Sequence, residues 1–167
     1  IHQFRLLVAS RRSDDFDRRR HVEVLAEVPG DEGARRDVAE PLSGPDLLDA
    51  LVLRDIKAAV FSNKPDELTK KVVKALFPDH HFEAVIGFTD ESLKKPNPVV
   101  ALSICDALGL PPKNVLYVGD SGVDMQTANN AGMIAVGALW GFRTKEELAL
   151  NGARYFLNHP LDLFKLF

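Results

Sequence analysis

The feature that most constrains the fold of this chain is a regular alternation of short apolar segments with helical patterns from about Pro41 onward. Five apolar segments have the length and composition of buried strands, at 56–61, 84–87, 115–118, 133–136 and 155–157. Helical patterns or helix-start signals lie at 45–53, 65–76, 97–108, 121–131 and from 144 onward. Strands that are apolar throughout are buried on both faces, and the helices between them supply crossovers. The pattern therefore predicts an α/β fold with a doubly wound parallel sheet.

Composition limits the classes of function. The 167 residues are 46% hydrophobic and 27% charged, as in globular proteins, and the net charge is −3. This charge gives no general attraction for nucleic acid or anionic lipid, so we expect neither as a partner. No apolar run approaches the ~18 residues of a membrane span, and we expect a cytoplasmic protein. The single cysteine, Cys105, excludes an intramolecular disulfide, and no pattern indicates an oligomeric state.

Two carboxylates follow the strand at 115–118, and doubly wound folds bind ligands beyond the carboxyl ends of their strands. Gly119 allows a sharp turn, Asp120 comes next, and Asp124 lies about one helical turn later. Neighbouring carboxylates repel each other unless a cation lies between them, and hard oxygen ligands suit Mg²⁺. The alternative is that Asp120 caps the following helix and Asp124 lies on the surface.

Two further strand ends and loops offer groups for an anion. Lys95 precedes a proline and is therefore held out of helix, on the loop that leads to the helix at 97–108. Ser62 and Asn63 follow the strand at 56–61 and precede a helix amino terminus, where a hydroxyl, amide donors and the helix dipole favour phosphate. Taken singly, a solvated lysine and a simple Ser/Asn helix cap are equally good explanations.

The order of these three loops resembles motifs two, three and four of the haloacid dehalogenase superfamily. The segments VFSNKP, LKKPNP and VLYVGDSGVDMQTANNAGM resemble the phosphoglycolate phosphatase branch of that superfamily closely, and the similarity extends over roughly residues 41 to 167. The resemblance implies a doubly wound, Rossmann-like core from residue 43 to 167. It also implies that residues 1–42 are the remnant of a helical cap or an atypical amino-terminal segment.

The resemblance implies a Mg²⁺-dependent phosphomonoester hydrolase that works through an aspartyl-phosphate. Ser62, with Asn63, would bind the transferring phosphoryl group, and Lys95 would neutralise charge on the nucleophile and the phosphoryl oxygens. Asp120 would hold Mg²⁺, with Asp124 supporting it. The expected substrate is a small phosphorylated metabolite, with 2-phosphoglycolate as the first candidate.

The nucleophile of this family has no clear match in the chain. Motif one is an apolar strand ending in Asp-x-Asp-Gly-Thr, whereas Asp15-Phe16-Asp17 follows no apolar strand directly and is followed by Arg18 and Arg19. Three explanations are open: motif one precedes Ile1, the amino-terminal segment departs from the natural protein, or the protein is a pseudo-enzyme. We expect the 167 residues alone to be inactive and poorly stable, because without motif one the sheet lacks its central strand and exposes apolar edges.

The segment before residue 43 differs in composition from the rest. It is rich in arginine and acidic residues, with an apolar island at 4–9 that fits a strand or a buried helical turn equally well. We predict that it is helical and belongs to a separate cap, and that its arginines lie on a solvated surface.

Other functions compatible with the motifs are a non-catalytic phosphate-binding or regulatory module on the same scaffold and a dehalogenase of the same superfamily. The Asp120–Asp124 spacing favours metal-dependent phosphate chemistry over halide displacement. A receiver domain also combines Asp, Ser or Thr and Lys, but the GDSGVD arrangement disfavours it.

Overall fold

The computed structural model describes residues 5–9 and 44–167, which form a six-stranded sheet with helices on both faces. The strands are β1 (Arg5–Ala9), β2 (Lys57–Pro65), β3 (Ala84–Phe88), β4 (Val115–Gly119), β5 (Ile134–Ala138) and β6 (Tyr155–Leu157). Their order across the sheet is β3-β2-β1-β4-β5-β6. The predicted α/β, doubly wound fold is confirmed, with one strand that differs from the prediction.

Five α-helices lie within the described part of the chain and occupy the connections between its strands, as the helical patterns predict. They are α1 (Gly44–Val52), α2 (Asp66–Leu76), α3 (Val99–Leu108), α4 (Gly122–Asn130) and α5 (Lys145–Leu150). Short 3-10 helices lie at Glu91–Leu93, Pro112–Asn114 and Pro160–Leu166. No helix in the described part of the chain is long and apolar enough to cross a bilayer.

Strand β1 corrects two expectations about the amino-terminal segment. Residues 5–9 form a strand of the core sheet and not a helix, so a helical cap assignment is wrong for these five residues. The strand fills the central position and pairs antiparallel with both β2 and β4, with Leu7 opposite Ala59 and Tyr117. The expected gap between β2 and β4 is therefore closed, and the sheet is mixed rather than purely parallel.

The other parts of the amino-terminal prediction lie outside the described residues. These parts are the remainder of the expected cap and the Asp15–Asp17 pair. The division of the chain near residue 43 stays a prediction.

Two apolar layers enclose the sheet. Helices α3, α4 and α5 pack on one face through residues that include Ile104, Met125 and Leu148. Helix α1 and the 3-10 segment Pro160–Leu166 pack on the opposite face. Alternation along β1 sends Leu7 into the first layer and Val8 into the second, and both are fully buried.

The strand directions define the edge where a site can form. Both β2 and β4 run antiparallel to β1, so they run parallel to each other and their carboxyl ends lie at the same edge of the sheet. The carboxyl end of β1, at Ala9, lies opposite Lys57 and Val115 at the other edge. The loops after β2 and β4 therefore form one rim.

Candidate functional site

Four of the five predicted site residues are buried at this rim although they are polar. Ser62 lies near the carboxyl end of β2, and Asp120 directly follows β4. Asp124 lies in the first turn of α4, and Lys95 lies on the loop before α3. Side chains of this kind are rarely buried unless they are paired, so their partners decide what the rim can do.

Lys95 and Asp124 form an ion pair beneath the rim. Lys95 Nζ lies 2.7 Å from Asp124 Oδ1, and only 5% of the lysine side chain and 0% of the aspartate side chain are exposed. The other oxygen of Asp124 accepts hydrogen bonds from the backbone N–H and the hydroxyl of Ser121. Gly119 makes room for this carboxylate, because a Cβ there would lie 2.8 Å from Asp124 Cγ. The ammonium is thereby held in one place at the first turn of α4.

The preceding lysine, Lys94, does not share this position. Its Nζ lies 2.8 Å from Glu91 Oε1 and 4.0 Å from the centroid of the Phe88 ring, at the surface. Lys95 Nζ instead lies 5.3 Å from the ring centroid of Phe61, the residue before Ser62. The two lysines of the Lys-Lys-Pro sequence are thus directed to different environments.

Asn63 connects the end of β2 to the Lys95 loop. Its Oδ1 accepts the backbone N–H of Lys95 at 2.9 Å, and its Nδ2 donates to the Lys95 carbonyl at 3.5 Å. Both ends of one side-chain amide therefore bracket the backbone of the lysine. This contact places Ser62 beside the Lys95 loop and was not foreseen from the sequence, where Asn63 is predicted to contact phosphate.

Ser62 is buried within the last residues of β2. Its hydroxyl oxygen accepts the backbone N–H of Lys64 at 3.2 Å, in the irregular end of β2 that leads into α2. A hydroxyl that accepts such a bond keeps its own proton for a second partner. The amino terminus of α2 follows within four residues and adds the positive end of a helix dipole.

Asp120 lies against the turn that leaves β5. Its Oδ2 accepts the backbone N–H of Phe142 at 3.4 Å. Gly141 lies so close that a Cβ on this residue would come well within 3.0 Å of the Asp120 carboxylate. The contact between Asp120 and the Gly141–Phe142 turn links two loops of the rim.

A further carboxylate, Asp66, fixes the amino terminus of α2 to the neighbouring strand β3. Asp66 Oδ1 accepts the backbone N–H of Gly87 at 2.9 Å, and Oδ2 lies 2.6 Å from Lys70 Nζ. The hydrogen bond from Lys70, followed by the hydrogen bond from Gly87, lowers the pKa of Asp66 below its ordinary value. Sequence analysis did not single out this residue.

The donor set at the rim fits a Mg²⁺ ion that is shared with a phosphate. No cluster of three His, Cys, Asp or Glu side chains suited to a metal is present among residues 5–9 and 44–167. Mg²⁺ is commonly held by one or two carboxylates, with waters and substrate phosphate oxygens completing the coordination. Asp120 can supply such a carboxylate, and both oxygens of Asp124 accept hydrogen bonds.

Comparison with known proteins agrees with the motif order. The family model "Haloacid dehalogenase-like hydrolase" matches residues 34–138, more than half of the chain. A phosphoglycolate phosphatase from Aquifex aeolicus is 36% identical over 124 residues, which cover 73% of this chain and 56% of the relative. The phosphoglycolate phosphatase of Escherichia coli K12 is 34% identical over 64% of this chain and 42% of its own length. The chain thus spans about half the length of these curated relatives.

Solved structures show the same similarity. A protein from Lactobacillus delbrueckii subsp. bulgaricus, assigned as a phosphoglycolate phosphatase, superposes with a TM-score of 0.66 at 35% identity. The match covers 71% of this chain and 49% of that one. A haloacid dehalogenase-like hydrolase from Bacteroides fragilis gives a TM-score of 0.64 at 29% identity, over 71% and 57% of the two chains.

Proposed function

The chain belongs to the haloacid dehalogenase-like hydrolase family, and from that premise we propose that the protein hydrolyses small phosphate monoesters with Mg²⁺. 2-Phosphoglycolate is the first substrate to test, since it is the substrate that the names of several relatives give. The observation that supports the proposal best is the buried Lys95–Asp124 pair beside Ser62. An ammonium held rigidly at a polar rim is what phosphoryl transfer requires, because that chemistry depends on positioning and charge compensation.

Ser62 and Lys95 are the groups that we assign to the phosphoryl oxygens. The Ser62 hydroxyl donates a hydrogen bond to one oxygen, and the turn after it presents backbone N–H groups to the same region. Lys95 has three N–H donors, so one ammonium can hold Asp124 and a phosphoryl oxygen together. Asp124 and Asn63 act on Lys95 from two sides, one through its charge and the other through its backbone.

Charge balance supports the need for a cation. Lys95 brings one positive charge, whereas Asp120 and Asp124 bring two negative charges, so this cluster alone repels a phosphate dianion. A divalent ion beside Asp120 would reverse that balance and would polarise the phosphoryl group. We propose Asp120 as its carboxylate ligand and Asp124 chiefly as the residue that positions Lys95.

The central strand favours one alternative function. The carboxyl end of β1 lies at the edge opposite Ser62 and Asp120, so β1 does not deliver a carboxylate to the rim at its own end. A chain with this arrangement could bind phosphate and metal without a nucleophile. The second candidate is therefore a non-catalytic phosphate-binding module of the same family.

Turnover of phosphate esters by the full-length protein separates the two functions. We expect release of inorganic phosphate from 2-phosphoglycolate with Mg²⁺ and loss of release with a chelator. Replacement of Ser62 by Ala and of Asp120 by Asn should each lower kcat/KM by about 10²-fold or more, because each removes a group that contacts developing charge.

Two matched variants control for general damage to the fold. Ser103→Ala removes a hydroxyl that bonds only to a helix carbonyl among the described residues, and Asp106→Asn changes an exposed helix carboxylate. Both should keep the parent rate. A wild-type protein that binds inorganic phosphate and Mg²⁺ but releases no phosphate from any monoester would exclude the enzyme and support the binding module.

A further inference from the structure

We propose that Gly141 is a positioning residue whose missing side chain seats the turn after β5 on the carboxylate of Asp120. This inference builds on the proposed function, since it concerns the carboxylate that we assign to the metal. Gly141 itself contacts neither substrate nor metal in the proposal. It acts by fixing where Asp120 points.

The contact is steric and specific. A Cβ built on Gly141 would come within 3.0 Å of Asp120 Cβ, Cγ and Oδ2, a separation that packed side chains do not tolerate. Gly141 is not among the glycines with positive φ, which are Gly109, Gly132 and Gly152. Alanine is therefore compatible with the backbone conformation at this position. The destabilisation that we expect from alanine arises from its contact with Asp120.

The turn around Gly141 also places a backbone N–H donor next to the Asp120 carboxylate. The Gly141 N–H donates to the Ala138 carbonyl at 3.3 Å and closes a turn at the end of β5. The next N–H, that of Phe142, then reaches Asp120 Oδ2 at 3.4 Å. A displaced turn would take this donor away, so a side chain at 141 would change both the position and the hydrogen bonding of Asp120.

The contact predicts a thermodynamic coupling that does not depend on activity. G141A should lower Tm by roughly 4–8 °C in the wild-type background, as expected for overpacking in a protein of this size. In the D120G background, which lacks the obstructing side chain, the same substitution should lower Tm by less than about 2 °C. The D120G variant and the double variant both carry the destabilisation caused by glycine at position 120, so this destabilisation cancels when their Tm values are compared.

Metal binding tests the functional half of the inference. The probe is Mn²⁺, titrated into the full-length protein and followed by electron paramagnetic resonance. G141A should raise the Kd for Mn²⁺ by about tenfold or more, the usual effect of disturbing a residue that orients a metal ligand. The KM for the phosphate ester at saturating metal should change much less.

Gly137→Ala is the matched control. It lies on β5 itself, and its new Cβ would contact Leu148 at 3.0 Å and Phe156 at 3.2 Å, so it perturbs packing without approaching Asp120. It should lower Tm, leave the Kd for Mn²⁺ unchanged and show no coupling to D120G.

Each outcome separates this inference from the proposed function. Equal losses of Tm for G141A with and without the Asp120 side chain would overturn the contact. A coupled Tm with an unchanged Kd for Mn²⁺ would overturn the positioning role. If the variants show the coupling but the wild-type protein neither binds metal nor hydrolyses esters, the proposed function is refuted and only the contact between Gly141 and Asp120 stands.

Discussion

The ion pair between Lys95 and Asp124 affects stability as well as the proposed chemistry. Both side chains are almost fully removed from water, which costs each charge several kcal/mol of solvation. Their separation of 2.7 Å and the hydrogen bonds from Ser121 offset that cost only while both partners are present. A site built in this way is sensitive to loss of either charge and tolerant of losing both.

Removing one partner of this pair should therefore destabilise the fold strongly. We expect K95M and D124N each to lower the free energy of unfolding by about 3–5 kcal/mol, since each leaves a buried charge unpaired. The double variant should cost less than the sum by about 1–3 kcal/mol, measured by urea denaturation. Lys94→Met is the control, because the exposed pair with Glu91 should contribute less than about 1 kcal/mol. Additive losses would show that the two charges do not interact.

The neighbouring Asp66 shows how a single residue joins two elements. It lies in the first turn of α2 and accepts the backbone N–H of Gly87 in β3, so it holds the helix that follows β2 against the edge strand. Gly87 is required at this point, because a Cβ there would lie 2.5 Å from the Lys64 carbonyl. The end of β2 that carries Ser62 thus leads directly into a helix that is anchored to β3.

This anchor should give the protein a defined acid sensitivity. The pKa of Asp66 is lowered in the folded state by its hydrogen bonds to Lys70 and Gly87, so the folded state favours the ionised carboxylate. Its contribution is complete above the unfolded pKa, near 3.8, and disappears as the pH falls through the lower folded value. D66A should lower the free energy of unfolding by about 1–2 kcal/mol at pH 7 and by progressively less below pH ~4.

Glu67→Ala is the comparison for this pH profile. Glu67 lies in the same first turn of α2 but is exposed, so it shares the helix dipole without the bond to β3. Denaturant titrations of both variants between pH 2.5 and pH 7 would measure the difference. A cost for D66A that is the same at every pH would contradict the assigned role.

The sequence predicts most elements because periodicity and capping are local signals. The last strand is predicted at its observed bounds, and Thr144 caps α5 by accepting the N–H of Glu147 as the capping pattern indicates. The contact between Gly141 and Asp120 joins loops 21 positions apart, so no local pattern could reveal it. The hydrogen bonds of Asn63 to the backbone of Lys95 were beyond sequence analysis for the same reason, since the two residues are remote in sequence. Contact between Asn63 and phosphate stays a prediction.

The direction of β1 could not be predicted, because the apolar pattern of a short buried strand is the same whether the strand is parallel or antiparallel to its neighbours. Its segment Leu6–Val8 is apolar at every position, as a strand buried on both faces must be. Hydrophobic periodicity indicates which positions are buried but carries no information on the direction in which the strand runs. The family resemblance gave no guide, since Arg5–Ala9 is not followed directly by the Asp-x-Asp-Gly-Thr sequence of motif one.

At the scale of the whole molecule, β1 joins the two halves of the sheet. Among the described residues, β2 and β3 pair with the remaining strands only through β1, which lies between β2 and β4. Leu7 and Val8 also bury their side chains in opposite apolar layers. The integrity of the core and the shared rim of β2 and β4 therefore depend on this one strand.

Nuclear Overhauser contacts in the full-length protein test both the position and the direction of β1. Antiparallel pairing places Leu6 beside Val118 and Val8 beside Leu116, whereas a parallel strand in the same slot would reverse these neighbours. L7D should lower the free energy of unfolding by more than about 4 kcal/mol, since it buries an unpaired charge between β2 and β4. V52D, at a site 65% exposed, should cost less than about 1 kcal/mol. Stability unchanged by L7D would mean that the two halves of the sheet are held together by a different strand, and the rim would then need another central element.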